Sequence, residues 1–434
     1  MKLRPFELGL VVFFLIAFVV GLVIINNYEP DNSTAKGEVQ IGPVQIWGTL
    51  PAAPVTSFFA ALVKDDKNYS GVSYRYIPPD NFGSVLINAL ADQQYPDLIL
   101  IPHDDLVQYR SRIQPLPYTS FPARDFQNLY IDGASIFALS DGVAAFPLMV
   151  DPLMMYWNKD ILSDNGFLAE PATWEELVST YAPALTEKDY SFSIKRSTIA
   201  MGSYDNITNA LPIISTLLLQ GGSSLVRESN GKYQNGLDTS SSGSTRPFFN
   251  AMSFFTSFGN INNSLYSWSR TQGNDKEAFL KEDLVFYFGF GSEARELASK
   301  NPNLNFDIAE MPQGEGAKNK RTFGRFYGLA RLKVSRNPAG ALAIMQTLGT
   351  ESAAKALADG YNMAPVYRAS LTRGSNDIYG RIIYKSALNT RGWLSPDRDK
   401  LGEVFRSAIE DIGANRKDVT RATGEMSSRI GNLY

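Results

Sequence analysis

One histidine and no cysteine among 434 residues limit what chemistry this chain can perform. Without thiols there is no disulfide, no thiolate nucleophile and no Cys-rich zinc site. With His103 alone, a multi-His metal centre is impossible, and a Ser-His-Asp triad would have to use that residue. Two acids follow it, Asp104 and Asp105, and a third, Asp151, lies in an apolar stretch. A pair of carboxylates about 5–10 Å apart can hydrolyse a glycosidic bond. Asp104 with Asp151 is therefore the pair a surface glycoside hydrolase would need, although nothing beyond the presence of acids supports one. No enzyme activity, metal or cofactor is expected.

The remaining candidates suit binding. Trp47 ends an expected strand, and ligands meet parallel sheets at strand C-termini. Phe288 and Phe290 flank Gly289 at another strand end, so one of them should face a cleft. Tyr327 follows the loop Thr322-Phe323-Gly324-Arg325, and Asn362 lies in Gly360-Tyr361-Asn362-Met363-Ala364-Pro365. A sugar site uses aromatic faces worth about 0.5–2 kcal/mol each and hydrogen bonds worth about 1 kcal/mol. With five Trp, 21 Tyr and 26 Phe, most rings must simply be core. Lys318, Lys320 and Arg321 form the only compact basic run and read as a solvated loop. Since no strand end carries clustered Arg or Lys, a neutral or weakly polar solute is expected. A net charge of −3 argues against nucleic acid, which requires a basic surface.

These residues need elements to hold them. Val39–Trp47 reads as a first strand, Phe58–Val63 as a helix core and Val72–Ile77 as a second strand. Asn81 is a plausible N-cap for a helix over Phe82–Asp92, and Leu98–Ile101 suits a buried parallel strand. This alternation implies a doubly wound α/β unit. Ala144–Trp157 is long and extended, broken at Pro147 and Pro152, and leads to a turn ending at Gly166. Thr173-Trp174-Glu175-Glu176 is a capping box, with Glu176 expected to reach back to the N-cap amide. Further helices are expected at Leu211–Leu219, Arg246–Phe258, Asn274–Leu280, Ser352–Asp359, Asp399–Asp411 and Asp418–Ile430, and one opens at Asn337-Pro338. Strands are expected at Leu284–Phe288, Leu304–Glu310 and Phe326–Leu332, with a small hairpin around Lys232–Gln234.

Leu8–Ile25 is an uncharged apolar run, long enough at the short end to cross a bilayer. It ends in Asn26-Asn27-Tyr28-Glu29-Pro30 without a small-residue cleavage pattern, which favours an uncleaved anchor over a removed signal. Lys2 and Arg4 before it, with Glu29 and Asp31 after it, place the N-terminus in the cytoplasm and the rest outside. Residues 26–38 would form a linker, and the remaining body of about 400 residues suits two or three domains.

Several segments together resemble the extracellular solute-binding proteins of ABC importers, in the maltose-binding-protein-like branch. They are Val44–Trp47, Tyr95–Ile99, Phe146-Pro147 with Asp151 and Tyr156–Asp160, Pro171–Leu177, Phe279–Gly291, Asn301–Pro312, Ala353–Pro365 and the tail around Trp393-Leu394. Each is weak alone, but they occur in the family's order through most of residues 39–434. The resemblance implies an α/β fold of two lobes with crossover hinge strands. The apolar run, standing where family members usually carry a cleaved signal or a lipid-modified Cys, adds one N-terminal transmembrane helix, with residues 1–7 as a cytoplasmic stub and 8–25 as the anchor. Residues 39–146 and 305–348 would form lobe 1, and 147–304 and 349–434 lobe 2. Trp393 falls where the family has a sugar-stacking Trp, and Asp104 where it has a carboxylate for ligand hydroxyls, unless Asp104 caps the next helix. Asp151 falls where the family often has an acidic ligand contact, with a hinge hydrogen bond as the alternative. The implied activity is capture of a small solute, favouring carbohydrate, for delivery to ABC permease subunits by a monomer anchored in the cell membrane. A sensory or adhesive ectodomain without a permease is the competing expectation.

Overall fold

The computed structural model describes residues 41–191, 193–223, 226–229, 232–237 and 246–434, and the expected anchor, linker and first residues of the Val39 strand lie outside them. Ile41–Tyr434 forms one compact unit. Among the described residues, no helix is long and apolar enough to cross a membrane.

The chain begins with β1 (Val44–Gly48), α1 (Ala52–Asp65), β2 (Val72–Tyr76), α2 (Pro79–Ala91) and β3 (Leu98–Pro102). β1 pairs in parallel with β2 on one side and β3 on the other, giving the expected doubly wound start. Helix α2 begins three residues before the expected boundary. Pro79 occupies the first turn, where its fixed φ and missing N–H fit without cost, so Asn81 lies inside the helix and its N–H bonds to Pro78 O at 3.0 Å.

The centre of the molecule is β4 (Phe146–Asn158), thirteen residues buried nearly throughout. A strand covered on both faces is continuously apolar, and β4 follows that rule except at Asp151 and Asn158. After it come β5 (Ile194–Ile199), α3 (Ala210–Gln220), α4 (Pro247–Ser257), β6 (Leu284–Phe290), β7 (Phe306–Glu310) and β8 (Thr322–Arg331). Phe146–Pro152 pairs antiparallel with β8, whereas Leu153–Asn158 lies between β6 and β7. β8 in turn pairs with β3, and β6 with β5, so the strand order is β2-β1-β3-β8-β4-β6-β5. The exchange of partners falls at Pro152, which has no N–H to offer a ladder. Two half-sheets therefore share one strand, and the chain passes back between them from β7 to β8.

β8 starts four residues earlier than expected. Thr322-Phe323 pairs with Thr390-Arg391, and Gly324-Arg325 with Pro152-Asp151. A Cβ at Gly324 would lie 2.7 Å from Asp151 O, so glycine permits that approach. The pairing is made by distant segments, which local propensity does not register.

The C-terminal third adds α5 (Pro338–Leu348), α6 (Glu351–Gly360), α7 (Ile378–Asn389), α8 (Arg398–Gly413) and α9 (Val419–Gly431). Helix α5 has its expected cap, Asn337 Oδ1 accepting the Gly340 N–H at 2.9 Å. Helix α6 packs on α1 and on β4. Helix α7 was not anticipated from sequence. Gly380 in its first turn weakens intrinsic propensity, and packing on β4 and β7 sustains it. Helices α8 and α9 pack together and against α4. At Thr173 the hydroxyl accepts the Glu176 N–H at 3.1 Å as expected. Glu176, however, reaches past the N-cap to the Ala172 N–H at 2.9 Å, beside an isolated bridge in which Gln313 bonds Ala172 O and the Trp174 N–H. The hairpin is formed by Val226–Ser229 and Lys232–Asn235.

One buried carboxylate ties the first half-sheet to α5. Asp97 Oδ2 accepts the Gln45 N–H at 3.0 Å, while Oδ1 accepts Ser335 Oγ at 2.7 Å and the Arg336 and Asn337 N–H groups at 3.1 and 3.2 Å. Replacing Asp97 by Ala strands these donors at the edge of the core. Urea denaturation should show a loss of about 2–4 kcal/mol, the range for several hydrogen bonds to a charged group; an unchanged midpoint would refute this role.

Candidate functional site

A cleft of about 400 Å³ lies where the two half-sheets meet. Asp104 enters it from the turn after β3, Phe323 and Arg325 from the start of β8, and Leu211, Pro212 and Ser215 from the first turns of α3. Trp393, Ser395 and the opening of α8, including Arg398 and Arg406, form the remaining wall. Phe323, Arg325 and Tyr327 alternate along β8, and this two-residue period directs one face of the strand toward the cleft.

His103 organises the floor and is fully buried. Its Nδ1 faces the Phe326 N–H at 3.1 Å and therefore accepts. The ring proton then sits on Nε2, which donates to Asp104 Oδ1 at 2.8 Å. The Trp393 N–H also points at Nε2, at 3.3 Å. A nitrogen carrying a proton cannot accept it, so that contact sets position without being a full hydrogen bond. Phe323 and Phe326 close around the ring at 5.9 and 6.0 Å between centroids. No hydroxyl nucleophile bonds to His103 among the described residues, so it belongs to no triad. It joins the end of β3, the crossover strand and the segment bearing Trp393. Gly392 is required there, because a Cβ would overlap the imidazole.

Asp104 places its second oxygen 3.4 Å from Arg325 Nε. Burial works against its ionisation, but the His103 and Arg325 donors outweigh burial and hold the carboxyl well below the usual range. Arg325 lays its guanidinium over Phe290, 4.7 Å from the ring centroid. Its side chain keeps one third of its surface exposed. Ser215 and Ser395 line the cleft as well, with their hydroxyl oxygens buried.

Among the expected residues, Asp104 and Trp393 share this cleft, and Phe290 touches it through Arg325. Phe288 packs on Trp174 at 5.6 Å, inside the second half. Trp47 is buried beneath Arg75, whose guanidinium lies 4.7 Å from its ring, and does not line the cleft. Tyr327 is buried beside Arg325 on the same strand face, and burial raises its hydroxyl pKa. Asn362 adopts a left-handed φ of 57° and lines a different cavity of about 310 Å³ with Asp359 and Tyr384. Asp151 gives both oxygens to Ser292, one to its N–H at 3.0 Å and one to its Oγ at 2.6 Å. That is the hinge hydrogen bond, made at the point where β4 changes partners. Burial pushes the Asp151 carboxyl up to about 7, against the Ser292 bonds.

The family is decided by a match over residues 57–377 to the model for bacterial extracellular solute-binding proteins. The chain belongs to that family. Solved structures agree on its two-lobed α/β fold. The sugar-binding protein MalE from Xanthomonas citri superposes with a TM-score of 0.72 at 18% identity, covering 90% of this chain and 97% of that one. The cyclic α-maltosyl-1,6-maltose binding protein from Arthrobacter globiformis also gives 0.72, at 14% identity and coverages of 90% and 99%. A cyclo/maltodextrin-binding protein complexed with maltotetraose gives 0.71, at 15% identity and coverages of 90% and 96%. No curated protein matches the chain by sequence.

Sequence reasoning missed several groups in this solute-binding protein. Arg325 read as part of a loop, although its alternation with Phe323 and Tyr327 was a usable signal. Arg398, Arg406, Ser215 and Ser395 carried none, being far apart in the chain and ordinary in their local context. Arg325 from β8 and Arg398 and Arg406 from α8 line one cleft, a grouping that a search for clustered Arg or Lys at strand ends does not reveal.

Two outcomes follow from this geometry. Gly392→Ala drives a methyl into the His103 ring and should cost about 1–3 kcal/mol in chemical denaturation; full stability would show that the contact relaxes freely. Asp151, with its folded pKa near 7 against 3.8 unfolded, binds its proton more tightly when folded. Its stabilising protonation is complete below about pH 4 and is lost as pH rises through about 7. Asp105 and Asp275, each pushed up to about 6 by burial, lose stability in the same direction. Asp151→Asn keeps partners for Ser292 and removes the ionisation. Its thermal midpoint should therefore fall less between pH 5 and 8 than that of the unaltered chain, and equal slopes would remove Asp151 from the account.

Proposed function

We propose that this chain captures a small solute, favoured to be a carbohydrate, outside the cell and presents it to an ABC permease. The observation that carries this reading is the cleft between the half-sheets, with Asp104, Arg325 and Trp393 lining one volume. The superposed structures, among them a cyclo/maltodextrin-binding protein complexed with maltotetraose, support carbohydrate as the ligand class. In this reading, β4 and the β7–β8 return are the hinge. Ligand touching both halves favours the closed state by its differential affinity for that state. The lobes would divide near the expected boundaries, with α6 carried by the first lobe because it packs on α1. The apolar run Leu8–Ile25 would tether the protein to the membrane, leaving the binding body outside as a monomer.

Hydrolysis is disfavoured by the same contacts. Asp104 is held by His103 and Arg325, and Asp151 by Ser292, so neither carboxyl is free to act on a glycosidic bond. A thermal-shift series with saccharides, peptides, polyamines and simple anions tests the reading. A saccharide at 100 times its Kd should stabilise by about 2.7 kcal/mol, and Asp104→Ala should weaken its binding at least tenfold. A shift with peptides or polyamines and none with saccharides would overturn carbohydrate as the ligand.

A further inference from the structure

Two guanidinium groups line the inner cleft with donors that the protein leaves unused, and they define a ligand. Arg325 engages protein only through Nε and the face of its guanidinium, so among the described residues both terminal amino groups are without a hydrogen bond. Arg398, at the first position of α8, lines this cleft and also a neighbouring cavity of about 330 Å³. Among the described residues its nearest carboxylate is Asp399, 3.6 Å from Nε, and that acid is largely exposed to water.

The buried acceptor is already engaged. Asp104 receives the His103 proton and the Arg325 Nε–H, and Asp105 faces Arg398 from the side of the neighbouring cavity. Asp399, Glu403 and Arg406 also line the cleft, but all three are exposed to water, and Arg406 is paired with Asp205 at 3.0 Å. A neutral sugar hydroxyl needs an acceptor for its own proton as well as a donor. A carboxylate only accepts, and a guanidinium fork matches its planar geometry.

We propose that the solute is an acidic saccharide whose carboxylate is held by Arg325 and Arg398. This rests on the carbohydrate reading above and narrows it. Arg325 is the inner anchor, its plane fixed by Phe290 and its direction by Asp104. Arg398 closes the outer side, where the two cavities adjoin.

The test uses the full chain in detergent and matched pairs of disaccharides, each neutral sugar beside its aldonic or uronic acid, with binding followed by calorimetry. The acid of a pair should bind at least tenfold tighter than its neutral partner, and Arg398→Gln should reduce that ratio to near one while the thermal midpoint of the unliganded protein stays unchanged. Arg325→Gln should act in the same direction, with Arg398→Gln keeping the test valid if removal of the buried guanidinium impairs folding. Neutral sugars binding as tightly as their acids would overturn the acidic ligand and leave the carbohydrate reading intact. Failure of both members of every pair would overturn both.

Discussion

A single long strand that changes partners half-way holds this molecule together. Phe146–Pro152 belongs to one half-sheet and Leu153–Asn158 to the other, so every residue near Pro152 answers to both. The backbone solves the switch with a proline that cannot donate and a glycine, Gly324, that allows close approach. Asp151 then fastens the switch to Ser292 with both carboxylate oxygens. The hydrogen bonds at this switch are local, made between Asp151 and Ser292.

The floor of the cleft grows out of that strand pairing. β8 lies between β3 and β4, and it carries Phe323 and Arg325 to the position where His103 and Asp104 leave β3. The sole histidine acts as a joint: its two nitrogens face β8 and Asp104, with the Trp393 segment pressed against the ring. An aspartate held by two donors stays ionised in a buried place, and it in turn holds the arginine. The chain His103–Asp104–Arg325–Phe290 therefore passes from one half of the molecule to the other through the cleft.

Charge counting along the chain does not reveal the cations of the cleft. Lys318, Lys320 and Arg321 are the visible basic run, yet Lys320 lies on an exposed loop and pairs with Glu310. The cations that line the inner cleft are single residues, at positions 325 and 398, each with unremarkable neighbours. Strand and helix placement gathers them, and an aromatic face and a carboxylate orient the innermost.

Much of the architecture was legible in the residues. Alternation and turn residues marked β1 to β3, the capping threonine marked its helix, and the continuous apolar run marked β4, because those signals are local and follow from side-chain period and backbone donors. The absence of cysteine and the lone histidine excluded whole classes of chemistry without any coordinates. Folding decided what local pattern cannot encode: that Thr322–Arg325 is strand and not loop, that Ile378–Asn389 is helical despite its glycine, and that Trp47 is buried under Arg75. It also decided which of several plausible acids and rings share one volume. Those outcomes depend on contacts between residues up to nearly three hundred positions apart, such as Trp393 with His103, and only the packed chain brings them within reach of one another.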